Sequence, residues 1–172
     1  MIDLKAKIRN IPDFPVKGVQ FKDITTLLRD KDAFKCSIDK IVENCCQYRI
    51  DYIAGIEARG FIIGAPVAYQ LGVGFLPVRK SEKLPSEVER IAYQLEYGEN
   101  ILEIHKDAIG KGDRIMVVDD LLATGGTTAA VFRLVEKLGG EVVGASFIIE
   151  LKSLNPREKL KGYNIFSIVQ YD

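Results

Sequence analysis

Histidine and cysteine are scarce in this chain, and their scarcity sets the first limits on its chemistry. A single histidine, His105, and three cysteines outside any CxxC spacing leave a zinc site short of ligands, so transition-metal chemistry is set aside. No apolar run approaches the roughly 20 residues that a membrane helix needs, and no membrane span is expected. A charge of either sign in excess is also missing: 24 basic residues balance 24 acidic ones. Nothing in that balance draws the chain to nucleic acid or to an anionic membrane, and any phosphate binding must be local. Both common nucleotide fingerprints are absent. No lysine follows the Gly125-Gly126 pair, and Gly72-Val73-Gly74 runs into Phe75-Leu76-Pro77 instead of completing GxGxxG.

The N-terminal MIDLKAKIRN mixes charges with single apolar residues. It lacks the continuous hydrophobic segment of a secretory signal, so the mature chain is expected to start at Met1. Cys36, Cys45 and Cys46 fall in one helical stretch, and the adjacent pair cannot bridge without straining the backbone. A reducing, cytoplasmic setting is expected.

The 172 residues, 47% of them apolar and 28% charged, suit one globular domain covering 1–172. Between Asp30 and Tyr48, the residues Phe34, Ile38, Ile41, Val42 and Cys45 recur at three- and four-residue steps, which makes one helical stripe. Short β-branched or aromatic runs follow at 52–57, 74–79, 114–119 and 141–150. Between them lie helical segments at 60–72 and 126–140, each closed by glycine. Near-continuous apolar strands alternating with helices predict a doubly wound, mainly parallel α/β sheet. Asn155-Pro156 reads as the N-cap and first turn of a short helix, and 164–171 as a last strand. The charged stretch KSEKLPSEVER, 80–90, reads as an exposed, mobile loop of the kind that serves function.

Residues 115–130, IMVVDDLLATGGTTAA, set two aspartates against a buried strand and follow them with glycines and hydroxyl residues. If a helix starts at Gly126, this turn lies at the carboxyl end of the strand, where open α/β sheets bind ligands. Small residues at a helix N-terminus let N–H groups approach an anion. Thr124, Gly125, Gly126, Thr127 and Thr128 suit a phosphate. Asp119 and Asp120 are acceptors, fit for the vicinal hydroxyls of a sugar or for waters of a magnesium ion. Phosphate plus diol indicates a sugar phosphate.

VVDDLLATGGTT resembles the phosphoribosyl pyrophosphate motif of the type I phosphoribosyltransferases. The likeness extends through GVQFKDIT, DYIAGIEARGF, GVGFLPVRKSEKLP, YQLEYG and ELKSLNPREKL to the closing SIVQYD. It implies that family's fold, with a small N-terminal hood, mainly 1–30, and a flexible catalytic loop at about 80–93. It also implies transfer of 5-phosphoribosyl from phosphoribosyl pyrophosphate to adenine N9, giving AMP and pyrophosphate. Mg2+ would be carried mainly by substrate and water with no direct protein ligand, and the assembly would be a homodimer.

Carried over residue by residue, the resemblance places the ribose hydroxyls on Asp119 and Asp120 and the 5′-phosphate on Ala123, Thr124, Gly125, Gly126 and Thr127. Pyrophosphate falls to Ala58 and Arg59, behind a cis peptide at Glu57-Ala58, and to Arg79, Lys80 and Lys83 on the loop, with Arg79 reaching toward a neighbouring subunit. Phe21 would stack on the purine, the backbone of Gln20 and Lys22 would read its edge, and Tyr97 would stand beside the base. Arg59 and Glu96 are the implied catalytic groups, with Glu96 taking a proton from adenine or stabilising the ribosyl cation. Taken alone, Phe21 fits a core position, Arg59 a helix start and the loop cations a solvated run. Two departures stand out: Lys22 where the family often has arginine, and Glu82 where the loop usually has glycine. Another purine base, or a donor-sensing regulator without catalysis, are the competing functions.

Overall fold

The computed structural model describes residues 2–94 and 99–172. A short hairpin opens the chain, with β1 (Arg9–Pro12) antiparallel to β2 (Gln20–Asp23), followed by α1 (Thr25–Arg29) and α2 (Lys31–Cys45). Next come β3 (Tyr52–Ile56), α3 (Arg59–Leu71), β4 (Gly74–Lys80), β5 (Val88–Gln94) and β6 (Glu99–His105). The chain ends with β7 (Arg114–Leu122), α4 (Gly126–Lys137), β8 (Glu141–Leu151) and β9 (Asn164–Tyr171). Among the described residues the main sheet runs β5-β6-β4-β3-β7-β8-β9, parallel from β4 to β9 with β6 and β5 antiparallel at one edge.

The central strands are apolar on both faces because both faces are covered. Along β7, Ile115 and Val117 face a core shared with Phe132, Leu134 and Val135 of α4. Met116 and Val118 face the opposite core, with Ile38 and Ile41 of α2 and Ile63 and Val67 of α3. The mainly parallel, doubly wound sheet is thus the predicted one. Asp30 caps α2 by accepting from the Asp32 and Ala33 N–H groups, and α3 stops at Gly72 in the left-handed region, φ 68°.

Three local details differ from the sequence reading. The charged stretch turns into strand at Val88, because its charges are matched across elements: Arg90 meets Glu103 at 2.8 Å, and Glu89 meets Lys137 at 2.6 Å. The segment after Asn155 is a 3-10 turn, Pro156–Leu160, and Asn155 makes no side-chain cap but takes φ 47°. Helix α4 ends at Lys137, just before the Gly139-Gly140 pair.

Phe147 of β8 is fully buried between the strands and α4. Phe147→Ala is expected to lower unfolding free energy by about 3–5 kcal/mol, read from the midpoint of a urea titration at unchanged slope.

Candidate active site

Strand β7 carries its apolar run to the carboxyl end of the sheet and there delivers Asp119 and Asp120, whose side chains alternate. Asp120 is buried and its Oδ2 accepts from Arg59 Nε at 2.5 Å. Asp119 keeps some solvent contact, and its Oδ1 accepts from the Asp120 N–H at 2.9 Å. The first turn of α3 presses on it: a Cβ added at Gly60 would sit 2.8 Å from Asp119 Oδ1 and 2.9 Å from the Val118 carbonyl oxygen. That crowding desolvates the Asp119 carboxyl, and repulsion from Asp120 adds to it. Its pKa is raised well above the ordinary carboxylate value despite the Asp120 N–H and Arg59.

Past β7 the chain turns through Ala123, Thr124 and Gly125 into α4. Gly125 is demanded twice. Its φ is 76°, and a Cβ there would lie 2.5 Å from the Pro156 carbonyl oxygen. The first N–H groups of α4 face outward from this turn, an arrangement suited to an anion. Ala123, Thr124, Gly125, Thr127 and Thr128 line a cleft of about 420 Å³, and Asp119 contributes to the same wall. Gly126, the first residue of α4, is not among the residues that line the cleft.

The opposite wall is the hairpin, through Val19, Gln20, Phe21 and Lys22. Phe21 packs edge-on against Phe14, with centroids 5.2 Å apart, and the Arg59 guanidinium lies 5.6 Å from the Phe21 ring centre. Gln20 and Lys22 both engage Asn10 by side chain, at 2.7 and 2.8 Å, and the Lys22 ammonium sits 4.2 Å from the centre of the Tyr171 ring. Those side chains are occupied elsewhere, which leaves backbone as the hairpin's polar surface toward the cleft.

A second cradle forms where β3 ends. The Glu57-Ala58 peptide is cis, and Arg59 opens α3. The Glu57 carboxylate accepts from Arg79 Nε at 3.2 Å and from the Lys80 N–H at 3.0 Å. Burial works to raise the Glu57 pKa, but the Lys80 N–H and Arg79 outweigh it and hold the carboxyl below its ordinary value. Arg79 also donates from Nη1 to the Lys83 carbonyl oxygen at 2.9 Å. Ala58, Arg59, Arg79, Lys80 and Lys83 are thus drawn to one end of β3 and β4. The loop stem has a further anchor absent from the sequence reading. Buried Glu103 accepts from Ser81 Oγ, from the Glu82 N–H at 3.1 Å and from Arg90 Nε. An acid amid the apolar residues of ILEIH was its only sequence signal. Glu82, in the position that the resemblance gives to glycine, has φ 65°. Leu121, Leu122, Leu151 and Leu154 also line the cleft and were not anticipated. Glu96 and Tyr97 lie outside the described residues.

Among the described residues no three His, Cys, Asp or Glu side chains gather closely enough to hold a metal ion, and no helix is long and apolar enough to cross a membrane.

A family model for the phosphoribosyl transferase domain matches residues 24–171. An adenine phosphoribosyltransferase of Clostridium kluyveri is 57% identical over 171 residues, 99% of each chain. The crystal structure of adenine phosphoribosyltransferase from Thermoanaerobacter pseudethanolicus superposes with a TM-score of 0.96 at 53% identity, covering 98% of each chain. The Saccharomyces cerevisiae adenine phosphoribosyltransferase, crystallised with adenine and an imino-altritol bisphosphate, superposes at 0.91 with 40% identity over 97% of each chain.

The raised Asp119 pKa has a stability consequence. A folded pKa above the unfolded one means that the folded state holds its proton more tightly. That contribution is fully present below the unfolded value and is lost as pH rises through the folded value. Asp119→Asn is expected to melt higher than the parent at about pH 8, with the gap closing toward about pH 4. Thermal melts across that range check it, and a gap that widens toward acid would contradict the assignment.

Proposed function

The chain belongs to the phosphoribosyl transferase family, and from that premise we propose that it moves the 5-phosphoribosyl group of phosphoribosyl pyrophosphate to N9 of adenine, releasing AMP and pyrophosphate in purine salvage. One observation carries the reading. A single cleft joins an acceptor and a phosphate-sized turn on one wall to an aromatic ring on the other. That is the spacing order of phosphate, ribose and base.

In this reading the N–H groups of Ala123 to Thr127 and their hydroxyls take the 5′-phosphate. Asp119 accepts from the ribose hydroxyls, so substrate donors relieve the carboxylate that desolvation and Asp120 disfavour. Asp120 is already neutralised by Arg59 and fixes the direction of that guanidinium. Arg59, Ala58 and the loop cations Arg79, Lys80 and Lys83 receive the pyrophosphate. Phe21 stacks on the purine while the backbone at Gln20 and Lys22 reads its edge, in keeping with side chains turned to Asn10 and Tyr171. Tyr97 flanks the base. Glu96 serves the base side, taking a proton from adenine or stabilising the ribosyl cation.

As the C1′–oxygen bond to pyrophosphate breaks, N9 forms its bond to C1′ and then gives up its proton. The oxocarbenium-like centre is open to capture by water, so the charged segment joining β4 to β5 is assigned to cover the cleft during transfer. Orientation of base and donor in one cleft is worth up to about 7–11 kcal/mol of barrier. Asp120 is committed to Arg59, and in this reading Mg2+ is carried on the pyrophosphate through water. When bound, that ion neutralises charge on the leaving group.

Assembly as a homodimer is supported by an apolar stripe on α3, where Ile62, Ala65 and Tyr69 recur on one exposed face and Tyr69 is 89% accessible. A second copy is the proposed occupant. A cytoplasmic setting is supported by three free thiols, one of them exposed.

The assay supplies donor and Mg2+ with adenine, hypoxanthine, guanine or xanthine. AMP with equimolar pyrophosphate is the expected dominant product, and turnover of another base in preference would reassign the acceptor. Phe21→Ala is expected to raise KM for adenine about tenfold with donor KM little changed, the loss of one base-stacking ring. Arg59→Ala is expected to lower kcat/KM by about 10²-fold or more, since it removes the guanidinium and strands Asp120.

A further inference from the structure

Buried Glu150, at the end of β8, is 1% exposed and collects four donors. Arg157 meets it as a two-pronged fork, Nε to Oε1 at 2.7 Å and Nη2 to Oε2 at 2.8 Å. Ser167 Oγ and Gln170 Nε2 from β9 donate to the same Oε2. The fork closes a seven-residue span, and that span contains one stretch of the cleft wall. Leu151 and Leu154 line the cleft. Asn155 takes φ 47°, which reverses the chain, and buried Pro156 puts its carbonyl oxygen against the Cα side of Gly125. Arg157 itself is not in the cleft wall.

We propose that Arg157, fixed by Glu150, is a positioning residue whose strap holds the turn at Ala123 to Gly125 in its anion-binding shape from behind. Gly125 occupies a left-handed conformation with no Cβ to anchor it, so the turn has little of its own to resist rearrangement. The Pro156 carbonyl is a rigid stop at that point. A planar guanidinium on a carboxylate fixes direction as well as distance, and β9 orients the carboxylate. The strap reaches the cleft through Leu151 and Leu154 and backs Gly125 through the Pro156 carbonyl. The cradle at Ala58 and Arg59 stands on other elements, after β3 and at the start of α3.

The proposal rests on the reading of the cleft as an AMP and donor site, and the test separates the two. Binding of AMP and of pyrophosphate is measured by calorimetry for the parent, Arg157→Ala, Arg157→Lys and Glu150→Gln, with deuterium exchange of the 121–127 peptide in parallel. Arg157→Ala is expected to weaken AMP about tenfold, the scale of a small misplacement at a binding turn. Pyrophosphate affinity should stay within about twofold and exchange at 121–127 should rise. Arg157→Lys, which keeps one point of contact, and Glu150→Gln should fall between. Should Arg157→Ala not fold, those two variants must still show weakened AMP at unchanged pyrophosphate. Unchanged AMP affinity, or equal weakening of both ligands, overturns the strap. A parent that binds no AMP overturns the cleft reading itself.

Discussion

The contact between Arg59 and Asp120 joins three parts of the molecule that the chain keeps far apart. Asp120 lies near the carboxyl end of β7, Arg59 begins the helix after β3, and the same guanidinium lies over Phe21 of the N-terminal hairpin. A carboxylate as buried as Asp120 is costly without a partner, and removing one member of such a pair strands the other. The pair therefore fixes the offset between β7 and α3. Through the cation–aromatic contact it also sets where the hairpin sits. The cleft exists because those three elements agree on one guanidinium.

Charge in the site is organised by what each carboxylate meets, and the neutral overall balance has no bearing on it. Glu57 is held below its ordinary pKa by an N–H and Arg79, whereas Asp119 is driven well above by desolvation and by its neighbour. The first is a satisfied anchor. The second is an acceptor kept in an unfavourable state until donors arrive, and sugar hydroxyls are donors of the right reach. A chain with equal numbers of acids and bases thus presents a sharply differentiated surface where β3, β4 and β7 end.

What was legible in the sequence was what is contiguous in the chain. The segment from Ile115 to Thr128 carries strand, acids, turn and helix start in one stretch, and period and residue type suffice to read it. Ala58 and Arg59 follow β3 in the same way. Glu103 and Glu150 were illegible because their partners are set by strand register: Arg90 stands opposite Glu103 and pairs with it, and β9 supplies half of Glu150's donors. Strand β5 was hidden for a related reason, since charges that look solvated in sequence are paired across the sheet. Lys22 shows the same limit at one residue. The resemblance gave a role to its backbone and none to its side chain, and only the fold reveals that its ammonium goes to Asn10 and Tyr171.

The loop stem combines these themes. Glu57 fastens Arg79 and Lys80, and Glu103 fastens Ser81, Glu82 and Arg90, so the segment from Lys83 to Glu87 is tethered at both feet by carboxylates. Glu82 adopts a left-handed backbone that a glycine would take without steric penalty. Its N–H bond to Glu103 offsets part of that cost. On the proposed reading, pyrophosphate competes with Glu57 for Arg79, because one guanidinium cannot satisfy both geometries fully. Donor binding would then release the Glu57 hold on Arg79 while Glu103 keeps Ser81, Glu82 and Arg90 in place. The loop would swing from a fixed stem, with arrival of the leaving group's own charge as the trigger.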